Sequence, residues 1–201
     1  MTTRPPRLQP GDGPLAELGD ESLLARFVSG DDAALGELAR RYERAMVGLA
    51  RGLVGSDHLA REAVQETWVR VIRFAGSYDG RASVKTWMYT ILTNKCRDMR
   101  KTERSRTRRE RTRRSPAQPE ARSAADLRIA EVVSELEEPG RETLVLCFCR
   151  GMTHAQAAEI LGVPIGTVKS RVHKAMSRLR ERLGVEAGLD AGGIRPGEVS
   201  A

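Results

Sequence analysis

The sequence predicts an all-α protein of two small helical domains joined by a flexible Arg-rich linker, the second containing a helix-turn-helix. Three observations lead there. Apolar residues recur three or four positions apart in segment after segment, the period of a helix with one buried face. Aromatic content is only 4%, so the core must be built mainly from Leu, Val, Ala and Ile, as in helical bundles. Composition then breaks at mid-chain: residues 101–114 carry eight basic side chains against two acidic ones and no large apolar group. Residues 115–125 follow with Pro116 and Pro119, which forbid a continuous helix.

Residues 1–19 are expected to be a disordered tail, because Pro and Gly with few large apolar groups cannot offset chain entropy. The first domain, 20–101, should hold four helices. Asp20 is read as the cap of a short helix over Glu21–Ser29, with Leu23, Leu24 and Phe27 inward and Gly30 ending it. Asp31 or Asp32 starts a longer helix whose Leu35, Leu38, Tyr42, Met46, Leu49 and Leu53 form a strong amphipathic stripe, stopped by Gly55. Asp57 is read as capping a third helix that runs to about Ala75, with Ala60, Val64, Trp68, Val71 and Ile72 as its buried face. Residues 76–83, GSYDGRAS, form a turn-rich loop. A fourth helix then runs from Val84 to about Lys101, with Trp87, Met88, Ile91, Leu92 and Met99 as core candidates.

Within the basic flexible linker, 102–125, the Arg-rich part up to residue 114 either extends that fourth helix or remains disordered, and its cationic excess suits a nucleic-acid contact. The second domain, 126–183, begins with a helix bearing Leu127, Ile129, Ala130, Val133 and Leu136. Pro139 separates it from a helix over Glu142–Arg150, whose Leu144, Val145, Leu146 and Phe148 read as buried. Residues 184–201, with five glycines, are expected to be a frayed tail.

Met152–Leu183 is the most informative stretch. Thr153 and Gln156 form a capping-box pair that opens a short helix, Gly162 suits a left-handed C-cap, and Pro164 blocks continuation. From Thr167 a second helix buries Val168, Val172, Ala175, Met176, Leu179 and Leu183. Its other face carries Thr167, Lys169, Ser170, Arg171, His173, Lys174, Ser177 and Arg178. A basic polar face on the second helix of such a pair fits the DNA major groove; the plainer alternative is a helical hairpin with a solvated basic face.

Other classes are disfavoured. Net charge is +7, which suits a polyanionic partner. There is no apolar run long enough to span a membrane and no secretory signal, so a cytoplasmic protein without membrane insertion is expected. Cys96, Cys147 and Cys149, an odd set, read as reduced and buried rather than as a disulfide framework. No P-loop, HExxH or nucleophile elbow occurs, and His58, His154 and His173 lie far apart, so no enzyme, cofactor or metal is expected.

Three stretches, AVQETWVRV at 63–71, GRASVKTWMYTILTNKCRDMRK at 80–101 and GMTHAQAAEILGVPIGTVKSRVHKA at 151–175, resemble bacterial RNA polymerase sigma factors of the extracytoplasmic-function (ECF) group. The resemblance spans about 21–183. It implies a subunit that binds core RNA polymerase, through the β′ clamp helices and the β subunit, and directs promoter-specific initiation. Glu62, Gln65, Glu66 and Arg70, around Trp68, would meet the polymerase. Tyr78, Asp79, Gly80 and Arg81 would shape a pocket for an unstacked minus-ten base, and Lys85, Tyr89, Asn94 and Arg97 would track that strand. Thr167, Lys169, Ser170, Arg171, His173, Lys174 and Arg178 would read the minus-thirty-five duplex, with Ser170, His173 and Lys174 nearest the bases. An anti-sigma factor is the further partner that membership implies. The alternative is a self-sufficient helix-turn-helix regulator acting without polymerase.

Overall fold

A computed structural model describes residues 14–109, 132–133, 135–149 and 151–183, and within these every regular element is helical. The N-terminal unit contains α1 (Asp20–Val28), α2 (Asp32–Val54), α3 (Asp57–Phe74) and α4 (Val84–Arg109). The C-terminal unit contains α5 (Glu138–Leu144), continuing as a π-turn over Val145–Cys149, then α6 (His154–Leu161) and α7 (Ile165–Leu183).

Local chemistry sets the helix ends. Asp31 caps α2 by accepting a hydrogen bond from the Ala33 amide, and Gly55 ends it in the left-handed region at φ 73°, where a Cβ would be strained. Two caps differ from the sequence reading. Ser56, not Asp57, accepts the first-turn amide of α3, that of Leu59. Gly19, not Asp20, precedes α1, which frees the Asp20 carboxylate to pair with Arg41 at 3.0 Å and to accept from the Tyr42 hydroxyl. Asp at the first helical position is still favoured there, because it faces the positive end of the helix dipole.

Residues 14–19, assigned above to a disordered tail, are ordered. Leu15–Glu17 make one 3-10 turn, and the Arg41 guanidinium gathers the carbonyls of Leu15, Ala16 and Leu18. The expected tails at 1–13 and 184–201, the helix at 127–130 and the linker from 110 onward lie outside the described residues. Of the two outcomes open for the start of that linker, helix extension is the one seen, since α4 continues to Arg109. No Pro or Gly interrupts 102–109, and Lys and Arg are good helix formers. Helical residues 132, 133 and 135 do end before a second helix, but that helix, α5, begins at Glu138 rather than Glu142, with Pro139 in its first turn, where its missing N–H costs nothing.

The two units do not pack separately. One apolar cluster joins Met46, Leu49, Ala50 and Leu53 of α2, Ala60 and Val64 of α3, and Tyr89, Leu92 and Cys96 of α4 to Val145, Leu146, Cys147, Met152, Ala157, Ile160 and Val168 of the C-terminal unit. A second cluster, including Leu23, Leu24, Leu38, Val71, Val84 and Met88, lies within the N-terminal unit alone. Gly52, inside α2, faces the π-turn so closely that a Cβ there would sit 2.8 Å from Val145 Cγ1. A mid-helix glycine costs about 1 kcal/mol relative to alanine, and the approach of Val145 accounts for its presence.

Candidate nucleic-acid and polymerase interface

On α3 the residues at 62, 65, 66, 69, 72 and 73 follow one another by one or three positions and form an exposed stripe. Glu62, Gln65 and Glu66 are exposed on it, and Arg70 beside it is half-buried. Glu66 pairs with Lys95 of α4 at 3.5 Å. Trp68 is mainly a packing residue, wedged against both apolar clusters with its indole nitrogen buried, so it presents only part of its ring to a partner. Ile72, read above as core, is 51% exposed, and Val69 and Phe74 are 56% and 47% exposed. The sequence held the signal for this apolar surface: Val69 and Ile72 continue the register of Glu62, Gln65 and Glu66.

The loop between α3 and α4 is tightly self-bonded. Asp79 accepts from the Arg81 amide at 3.1 Å and meets the Arg81 guanidinium at 3.2 Å, closing a turn around Gly80 at φ 72°. The Tyr78 hydroxyl donates to the Ala82 carbonyl, its ring lies 5.4 Å from Trp87, and burial raises its pKa. Ser83 accepts from the Thr86 amide at 3.1 Å. The Val84 amide, at the α4 N-terminus, donates to Glu21 of α1 at 3.3 Å. Glu21 was missed in the sequence, because a cap supplied from a distant helix leaves no local signature. Tyr78, Asp79, Gly80 and Arg81 thus come together in one preformed turn.

The other four minus-ten candidates do not form one track. Lys85 and Asn94 are nine residues apart, and at about 100° per residue they lie on opposite sides of α4. Tyr89 is corrected from strand contact to core: it is 2% exposed and meets Tyr42 edge-on at 6.4 Å. Arg97 is engaged within the protein. Its Nε and Nη2 donate to Glu142 of α5 at 3.0 and 2.9 Å, and its Nη1 donates to Asn94 at 3.0 Å.

The C-terminal pair α6–α7 has the geometry its sequence promised. Thr153 accepts from the Gln156 amide at 3.2 Å, and Gln156 accepts from the Thr153 amide at 3.0 Å. Gly162 at φ 65° ends α6 with the paired bonds Val163 N–H to Ala158 C=O and Gly162 N–H to Glu159 C=O, a Schellman arrangement. On α7, which begins two residues before the expected Thr167, Lys169, Ser170, His173 and Lys174 are exposed, and Thr167, Arg171 and Arg178 are half-buried. Thr167, Ser170, Lys174 and Arg178 share one face by their spacing. Lys174 and Arg178 lie 3.8 and 3.3 Å from the Glu137 carboxylate, so part of this cationic surface is neutralised from within its own unit.

Two family models match, in chain order: Sigma-70 region 2 over residues 38–106 and Sigma-70 region 4 over residues 132–181. The first covers most of α2 through α4, including the α3–α4 loop, and the second runs from before α5 into α7. The ECF RNA polymerase sigma factor SigM of Mycobacterium tuberculosis is 32% identical over 87% of this chain and 89% of its own length. The chain is an ECF RNA polymerase sigma factor.

Among solved structures, the sigma factor resembles CnrH bound to the cytosolic domain of CnrY, with TM-score 0.66 and 27% identity over 84% of this chain and 99% of that one. It also resembles RpoE bound to the anti-sigma factor NepR from Bartonella quintana, with TM-score 0.60 and 26% identity over 76% and 98% of the two chains. Among the described residues no helix is long and apolar enough to cross a membrane, and no group of three or more His, Cys, Asp or Glu is placed to hold a metal ion. Burial pushes the Cys96 thiol up to about 12 and the Cys147 thiol up to about 11, so both stay protonated and poorly nucleophilic near neutrality.

Proposed function

We propose that the sigma factor divides promoter recognition among three surfaces. The exposed stripe of α3, with Glu62, Gln65, Glu66 and Arg70 beside Val69 and Ile72, receives core RNA polymerase. The turn Tyr78–Arg81 holds an unstacked base of the minus-ten element, with Lys85 close by on α4. The face of α7 bearing Ser170, His173 and Lys174 reads the minus-thirty-five duplex, and Thr167, Lys169, Arg171 and Arg178 serve the phosphates. The observation that carries this reading is the self-bonded Asp79–Gly80–Arg81 turn. It needs no partner to take shape, and preorganisation reduces the ordering cost of capturing a base. Stacking and cationic contacts worth about 1–3 kcal/mol per base offset strand opening.

The compact arrangement is the one an anti-sigma factor would hold. Support comes from the solved relatives, which are the complexes of CnrH with the cytosolic domain of CnrY and of RpoE with NepR. In vitro transcription with core polymerase, with and without the sigma factor, on a genomic library tests the reading. New starts that share two upstream motifs are expected, and the absence of added starts overturns it.

A further inference from the structure

The contacts between the two units carry more than shape. Gly52 lies in the body of α2, not at a turn, and is not among the positive-φ glycines. Gly36, on the same helix, has open space where a Cβ would be, whereas at Gly52 that Cβ would meet Val145 Cγ1 at 2.8 Å and Cγ2 at 3.3 Å. The glycine is therefore a seat for one side chain of the other unit. Nearby, Glu142 brings a carboxylate that is 7% exposed onto an arginine that is 42% exposed. All three guanidinium nitrogens of Arg97 then have acceptors within the chain. Leu146, Cys147 and Met152 complete the contact by burial against α2 and α4.

We propose that this contact is an autoinhibitory latch built into the chain, which closes the sigma factor on itself without requiring an anti-sigma factor. Val145 in the Gly52 seat and Glu142 on Arg97 hold the C-terminal unit against α2 and α4. Opening frees Arg97, whose guanidinium then suits promoter phosphate as well as it suits carboxylate. The half-wet ion pair makes the closure reversible: the arginine already meets solvent and pays little desolvation when it exchanges partners. That closure depends on the residues just named alone; its effect on transcription rests on the function proposed above.

The test uses the full chain and four variants: Gly52→Ala, Val145→Ala, the double variant and Glu142→Gln. Alanine favours helix over glycine, so Gly52→Ala leaves α2 intact while wedging Val145 out, and far-ultraviolet circular dichroism checks this. Small-angle X-ray scattering should give a compact wild type, an expanded Gly52→Ala and an expanded Glu142→Gln. The double variant should be more compact than Gly52→Ala, because a smaller side chain at 145 accepts the new methyl group. Val145→Ala alone should fall between wild type and Gly52→Ala. With core polymerase, Gly52→Ala should reach half-maximal transcription at about tenfold lower concentration with the same plateau, as when a competent population of about one in ten becomes dominant. A Gly52→Ala chain as compact as wild type, or a double variant no more compact than Gly52→Ala, overturns the latch. If no chain adds promoter-specific starts while the scattering follows the expected order, the proposed function fails and the latch stands.

Discussion

Replacing Arg97 by Gln should destabilise the folded chain more than replacing Glu142 by Gln, although both changes delete the same ion pair. The pair is bidentate, at 3.0 and 2.9 Å. Glu142→Gln leaves behind an arginine that is 42% exposed. Water resolvates it and the new amide oxygen still accepts a bond, so the cost should be about 1 kcal/mol. Arg97→Gln leaves a carboxylate that is 7% exposed. Stranding a buried charge costs roughly 3–5 kcal/mol, but the C-terminal unit can open and rewet the carboxylate, which limits the loss to about 1.4 kcal/mol when one chain in ten is already open. The other ionisable groups lining this crevice, Arg100, Glu138 and Arg141, are common to both variants and largely cancel in the comparison. Urea unfolding of the full chain measures the difference, and equal costs for the two variants would refute the reasoning.

Lys174→Ala should relax preference at a single minus-thirty-five position, since one base contact is worth about 1–3 kcal/mol of discrimination. Competition between promoter variants measures this, and uniform weakening would reassign Lys174 to phosphate. Thr153→Ala removes the capping-box bond that the Thr153 hydroxyl accepts from the Gln156 amide, while the backbone N–H at 153 can still donate to the Gln156 side chain; it should cost about 1 kcal/mol, with faster amide exchange at Gln156, and Thr153→Ser should recover most of it. Glu37 is held down at about 2, first by its hydrogen bond from Arg40 and then by that from Arg41. Its stabilising contribution should be complete above the ordinary carboxylate range and vanish as pH falls through about 2, a titration readable from the Glu37 carboxyl by NMR. Glu37→Gln should remove that acid dependence.

The helix-turn-helix was legible because its signals are local. Thr153 with Gln156, Gly162 and Pro164 each act on backbone within four residues, and those bonds form as the spacing dictates. The misplaced caps at Asp20 and Asp57 come from adjacent residues that both suit a helix start. Tyr89 was misplaced because the family resemblance alone assigned it to the strand, whereas its ring fills the space beside Tyr42. The union of the two units was not legible. Leu144, Val145 and Leu146 announced burial without saying against what, and Gly52 in isolation resembles a weak point in α2. The exposed stripe of α3 was half legible: its charged positions followed from family likeness, but the exposure of Ile72 depends on where α3 meets its neighbours.

One consequence follows from the unbroken length of α4, which joins the α3–α4 loop at Ser83 to Arg97 and runs on to Arg109. A loop between these points would tolerate an added residue, but a helix converts length into angle. One residue inserted between Tyr89 and Arg97 would turn Arg97 by about 100° relative to the α3–α4 loop, carrying it away from Glu142 while the sequence on either side stayed the same. The phase of this helix, as much as the identity of its residues, decides whether that loop and the C-terminal unit address the same side of the molecule.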